Sequence, residues 1–263
     1  MHCISKSLTR YGQNYLRLNK YKSSDMAKLN ILFPVLNEEL RLADGINKTM
    51  EFMTVNKLMP FELNIIDNGS TDKTEQVAKS LCEKYPGVHY TRISERGTGI
   101  AVREGIKNNT CDYVGYMDVD LSTDLKYLIP VQELFINDPE LEFVNGSRFS
   151  KDSVVSGRKW YRNLTSYGLL FLLHFFLDMK ASDAICGFKF FKKETAEKLV
   201  EVSSKDENGW FFIIEMLLRA ERMGVKIHEL PVEWADDSRT KVKLFATIKN
   251  YIKNISRLRK ILK

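Results

Sequence analysis

The chain is short of the features that anchor small secreted or membrane-spanning proteins. Its 263 residues contain only four cysteines, at positions 3, 82, 111 and 186, with no C-x-x-C spacing. That distribution fits a reducing, cytosolic environment and gives no disulfide framework. The four histidines form no ligand cluster. No stretch reaches the roughly 18 to 20 apolar residues that a membrane span needs. The closest, Leu169–Leu177, is nine residues long and is interrupted by His174. The first thirty residues are polar and basic, so no secretory signal is expected. Acidic residues are absent from 241–263, where eight lysines and arginines give +8, and residues 1–28 carry +5. The chain totals +6, so residues 29–240 are net acidic, at −7.

Basic ends on an acidic body point to an anionic surface, membrane or nucleic acid, met by the termini. From residue 241 onward, Leu244, Phe245, Ile248, Ile252, Ile255, Leu258 and Leu262 recur every three or four residues, with basic residues between. This predicts a basic amphipathic helix that either lies in the headgroup region of an anionic membrane or docks its apolar face on the body or a partner. Nucleic acid fits poorly, because the aromatics do not alternate with basic residues as a single-strand groove requires.

With 44% hydrophobic residues the chain can bury an ordinary core. Leu29–Val35, Phe61–Ile66, Val88–Ile93 and residues 113–117 read as strands, and Glu38–Lys57, Thr71–Tyr85 and Gly99–Asn108 as helices. This alternation predicts an α/β fold with a parallel sheet and right-handed crossovers. The later half is less regular: an apolar helix near 163–178, a strand or hairpin around Phe188–Phe191, a helix from Trp210 to Met223 and a strand from Val225 to Val232. The expected units are a basic arm (1–28), a single domain (29–240) and the basic helix (241–263).

The fourth strand ends in Asp118-Val119-Asp120. Open α/β sheets bind ligands at such ends, and two unpaired carboxylates there suit a hard divalent cation or a metal-polyphosphate complex. Strand two likewise ends in Asp67-Asn68-Gly69-Ser70, where Gly69 permits a turn and Ser70 or Thr71 can cap the next helix.

Taken in order, Phe33-Pro34-x-x-Asn37-Glu38-Glu39, Asp67-x-Gly69-Ser70-x-Asp72, Arg96-Gly97-x-Gly99-x-Ala101-Val102-Arg103 and Asp118-x-Asp120 resemble glycosyltransferase family two with the GT-A fold. Gly146-Ser147-Arg148-Phe149, Cys186-Gly187-Phe188-Lys189 and Glu229-Leu230-Pro231-Val232-x-Trp234 are similar to the branch that makes dolichyl- and polyprenyl-phosphate glucose and mannose. The resemblance implies a Rossmann-like, mostly parallel sheet flanked by helices. Pro34, Asn37, Glu39 and Asp67 would then line the base and ribose of a UDP- or GDP-hexose. Asp118 and Asp120, with Ser122 two residues on, would hold Mg²⁺ or Mn²⁺ against the diphosphate, and Arg96 and Lys241 would contact phosphates. Thr98 stands where the family often has lysine.

A hydroxyl acceptor needs a carboxylate general base, and Trp210–Glu215 offers only Glu215, without the acid pair common in such relatives. Asp183 is the other candidate. A lipid phosphate is already ionised and needs cations to place it. Arg148, Arg158 and Arg162 suit that role, with Glu215 kept as a base or orienting group. The implied reaction is inverting transfer of a hexose to a polyprenyl or dolichyl phosphate, by a peripheral enzyme on the cytoplasmic face of a membrane, attached directly or through a membrane-spanning partner. A family-two transferase acting on a hydroxyl is the alternative.

Overall fold

The computed structural model describes residues 27–236 and 244–262. Most of the expected basic arm, and Lys241, lie outside the described residues. The first half follows the expected alternation: β1 (Leu29–Val35), α1 (Leu42–Val55), β2 (Phe61–Asp67), α2 (Thr74–Lys84), β3 (Val88–Arg92), α3 (Thr98–Lys107) and β4 (Tyr113–Met117). Then come α4 (Leu128–Asn137), β5 (Phe143–Ser147), β6 (Val154–Ser156), α5 (Trp160–Leu177), β7 (Phe188–Lys192), α6 (Lys193–Val202), α7 (Phe211–Arg222), β8 (Ile227–Pro231), β9 (Glu233–Ala235) and α8 (Leu244–Ile261).

Seven strands form one sheet in the order β3-β2-β1-β4-β7-β5-β8, and β6 pairs with β9 in a small parallel ribbon. Only β7 runs antiparallel to its neighbours, wedged between β4 and β5. Consecutive strand residues point to opposite faces, and the two cores divide accordingly. Leu32, Ile66 and Phe191 enter one cluster with α3, α5, α6, α7 and α8, while Ile31, Ile65 and Phe190 enter the other with α1, α2 and α4. The chain works outward from β1 to β3 and then returns to β4 beside β1. The carboxyl ends of β1 and β4 therefore bracket the topological switch point, where such sheets hold ligands.

Two expectations need correcting, and one left open is decided. The helix expected from Glu38 begins only at Leu42, because residues 38–41 form a turn in which the Arg41 and Leu42 amides donate to the Glu38 carbonyl. Neither Ser70 nor Thr71 caps α2; the Asp72 carboxylate accepts from the Thr74 amide at 3.0 Å, while Ser70 Oγ accepts from the Asn37 amide. The C-terminal helix forms, but part of its apolar face is turned inward against α5 and α7. Ile255 and Leu258 are buried there, each contributing about 1.5–3 kcal/mol, whereas Ile252 stays exposed. No described helix is long and apolar enough to cross a membrane.

Candidate active site

The β4 run ends at Met117 and a tight turn follows, closed by the Leu121 amide donating to the Asp118 carbonyl at 3.1 Å, with Leu121 at φ 54°. This turn places Asp118 and Asp120 at the carboxyl end of β4, beside the switch point. The Ser122 amide orients Asp120 by donating to Oδ1 at 3.0 Å, and the Ser122 carbonyl accepts from the Ala235 amide, tying the turn to β9. Asp118 rests on Gly187, where a Cβ would stand 2.0 Å from Asp118 Oδ2. Burial, and then the Asp120 charge, push Asp118 up to about 7.

That crowding of negative charge, in a set of hard oxygen donors, fits Mg²⁺ or Mn²⁺. Among the described residues no cluster of three or more His, Cys, Asp or Glu forms a ready metal site. A cation held by Asp118 and Asp120 would thus take its remaining ligands from a diphosphate and water.

Two cations near the pair escaped the sequence reading. Arg41 forks onto Glu38 with two 2.6 Å contacts and approaches Asp120 Oδ2 at 3.7 Å. Lys189 on β7, fully buried and bonded to Asn145, adds positive potential beneath Asp118. The Cys186–Lys189 motif was the only available signal for Lys189. For Arg41 there was none beyond its place on the first turn after β1.

The donor-side residues converge on one loop cluster. Pro34 lies near the end of β1. Asn37, at φ 57°, accepts from the Thr71 amide through Oδ1 at 2.8 Å. Glu39 accepts from the Lys73 amide at 2.9 Å. Asp67 is fully buried, with its oxygens accepting from the Ser70 amide at 2.7 Å and the Tyr90 hydroxyl at 2.9 Å. It shapes the loop instead of projecting from it. Arg96 is exposed beside Gly69.

Gly97, at φ 139°, has no room for a side chain, since a Cβ there would meet the Asn208 carbonyl oxygen at 2.0 Å. Arg103, the last residue of that glycine motif, is buried. It stacks over Phe212 at 4.4 Å and donates to the Ser204 and Glu207 carbonyls, both at 2.8 Å. The 204–209 loop also grips the last helix, because Glu207 accepts from Asn254 at 2.6 Å.

On the far side of the carboxylates lies an arginine–aromatic box. Arg148 is buried and forks onto Asp183 at 2.7 and 3.0 Å. Against the cost of burial, that contact holds Arg148 above its ordinary value and Asp183 below its own, so both are charged. Arg148 and Arg158 both lie over Trp234 and Phe149, at 5.3–5.5 Å. Arg158 donates to Ser166 Oγ at 2.7 Å, but its Nε and Nη1 are buried without a hydrogen-bond partner. Burial, and then the Arg148 charge, pull it down to about 10. Arg162 pairs with Asp236.

Glu215 takes no part in this site. It is fully buried on α7, bonded to the Ser204 amide at 3.1 Å and Arg219 at 2.9 Å, and its other oxygen meets Arg257 of α8. Arg219 at i+4 was the available signal of this structural role. A groove of about 830 Å³, lined by Glu95, Arg103, Glu104, Glu197 and Asn208 among others, shares no residue with the carboxylates or the arginine box.

Glycosyltransferase AglD of Haloferax volcanii is 30% identical over 225 residues, covering 84% of this chain and 35% of its own, so the chain spans about a third of that relative. The dolichyl-phosphate beta-glucosyltransferases of Dictyostelium discoideum and Homo sapiens are each 28% identical, covering 89% and 81% of this chain and 75% and 69% of theirs. In fold the chain is similar to Mycobacterium tuberculosis glucosyl-3-phosphoglycerate synthase solved with uridine diphosphate, with a TM-score of 0.68 at 18% identity over 90% of this chain and 82% of that one. Residues 30–200 match the Glycosyl transferase family 2 profile, and the chain belongs to that family.

Proposed function

We propose that this chain transfers a hexose from a nucleotide sugar to a polyprenyl or dolichyl phosphate, with inversion, at a membrane surface. The carrying observation is Arg158, a half-buried side chain whose Nε and Nη1 have no hydrogen-bond partner, beside a charged Arg148. Such a face fits a phosphate dianion far better than a neutral hydroxyl. Both carboxylates considered as bases for a hydroxyl acceptor, Asp183 and Glu215, are committed to arginines. A phosphate acceptor needs neither.

Asp118 and Asp120 would hold the metal, with Ser122 fixing the direction of Asp120. When bound, Mg²⁺ or Mn²⁺ supplies neutralisation of the diphosphate leaving group. Asn37, Glu39 and the loop shaped by Asp67 would seat the base and ribose, with Arg96 reaching the phosphates and Lys241 a further candidate for that contact. Arg158 and Arg162 would hold the acceptor phosphate so that an oxygen faces the anomeric carbon opposite the departing diphosphate. Arg148 acts through Asp183 and the box, setting the field around Arg158. The names of the relatives point to glucose as the hexose, so UDP-glucose is the first donor to try, with GDP-mannose as comparison.

The test incubates purified protein with Mn²⁺, a short polyprenyl phosphate and each radiolabelled donor, then counts the organic phase. Label there that mild acid releases supports the proposal. An empty organic phase, with label instead on a hydroxyl-bearing glycan, overturns it.

A further inference from the structure

Helix α5 presents two unlike faces. Ser166, Leu169, Leu170, Leu173 and Leu177 are buried, while the opposite side carries Trp160 (76% exposed), Tyr161, Leu164 (64%), Tyr167, Phe171 (65%) and Phe175 (71%). These residues run along about 22 Å of helix, at 1.5 Å per residue. Contiguous exposed apolar surface of this kind marks an interaction site.

The chemistry around the stripe identifies its occupant. Neither α5 nor α8 contains an acidic residue. The two helices touch, with Arg259 over the Phe176 ring at 5.3 Å. Lys159, Lys249, Lys253, Arg259 and Lys260 stand exposed along the pair, and Ile252 and Ile261 add exposed apolar side chains on α8. Apolar side chains backed by cations, with Trp and Tyr at one end, match the layered chemistry of a bilayer: acyl chains, then an aromatic belt, then anionic headgroups.

We propose that the exposed α5 stripe, together with the basic outer side of α8, seats this protein on an anionic lipid bilayer. The stripe also joins the candidate site, since Tyr167 packs on Phe149 at 4.9 Å and Phe149 lies under Arg158. A lipid whose tail remains in the bilayer beneath α5 would bring its phosphate to the arginine box without leaving the membrane. This last step rests on the lipid-phosphate reading; the seating itself does not.

The experiment sediments the full chain with vesicles of phosphatidylcholine, with and without phosphatidylglycerol, and repeats it for Phe171→Ser/Phe175→Ser. Both side chains are exposed, so an unchanged circular dichroism spectrum is expected. Wild type is expected to bind the anionic vesicles with a blue shift of tryptophan emission that Trp160→Phe removes, and the double variant to lose about tenfold or more in partitioning. Equal partitioning of wild type and double variant would overturn the proposal. So would a wild-type dimer that the double variant dissolves, with no vesicle binding by either, because the stripe would then join two copies. Transfer to a water-soluble short prenyl phosphate, measured alongside, is expected to be the same for both proteins. Vesicle binding without any such transfer would keep the surface and sink the lipid-phosphate reading.

Discussion

The Asp118 carboxylate and Gly187 stand so close that a methyl group on residue 187 would come within 2.0 Å of Asp118 Oδ2. Gly187 precedes β7, and its carbonyl accepts from the Asp118 amide at 3.3 Å. The antiparallel strand thus begins where β4 ends, and its first turn is the floor of the carboxylate pair. Gly187→Ala must push that carboxylate aside. Transfer is expected to fall about 10- to 100-fold, as when the support of a metal ligand is disturbed, with weaker Mn²⁺ binding by calorimetry. Unchanged metal affinity with normal turnover would contradict this geometry.

The same carboxylate predicts a pH signature in the metal-free protein. Burial, and then Asp120, raise Asp118 to about 7, against about 3.9 for an unfolded aspartate. Between those values the native chain holds more protons than the unfolded one, so stability falls as pH rises through the window and the loss is complete above 7. Asp118→Asn, which removes the charge, should therefore melt higher than wild type at pH 8 in chelator. The gap should shrink as the pH is lowered toward 5, and a gap that widens instead would rule out a raised Asp118.

Arg148 and Arg158 should separate in their effects. Removing Arg148 leaves Asp183 buried and unpaired, which costs about 3–5 kcal/mol, so Arg148→Ala is expected to lower the melting temperature sharply. Arg158 has two unpartnered nitrogens, so Arg158→Ala should keep the fold while raising KM for the lipid phosphate about tenfold or more. Donor affinity should stay unchanged. Steady-state kinetics over both substrates, with melts of each variant, checks the contrast.

Glu215→Gln weakens the contacts to Arg219 and Arg257 and is expected to cost on the order of 2–4 kcal/mol. Turnover per folded molecule should remain within about threefold, far less than the 10²- to 10⁴-fold that loss of a general base costs. A large fall in kcat with an unchanged melting temperature would return Glu215 to catalysis.

The first four strands were legible because each is a short stretch rich in β-branched or aromatic residues set between helices with clear spacing. β5 was not, since Phe143-Val144-Asn145-Gly146-Ser147 buries two polar side chains and lacks that pattern. Nor does local sequence say that β7 inserts between β4 and β5, because that choice is made by distant partners. The carboxylate pair was readable from its place at a strand end. The cations beside it, Arg41 at 3.7 Å from Asp120 and Lys189 on β7, come from other strands and loops. Glu215 read as a candidate base because a carboxylate among apolar helix residues looks alike whether it meets substrate or an arginine 42 residues on.

Residues 207 and 208 face in different directions with different duties. Glu207 clasps Asn254 on the last helix, and the neighbouring carbonyl, that of Asn208, accepts from the Ile100 amide just past the Gly97 turn. Anything that lifts the C-terminal helix, whether truncation or protease, therefore pulls on a handle one peptide bond from the carbonyl that fastens the start of α3. The tail of this chain is mechanically tied to the turn at Gly97.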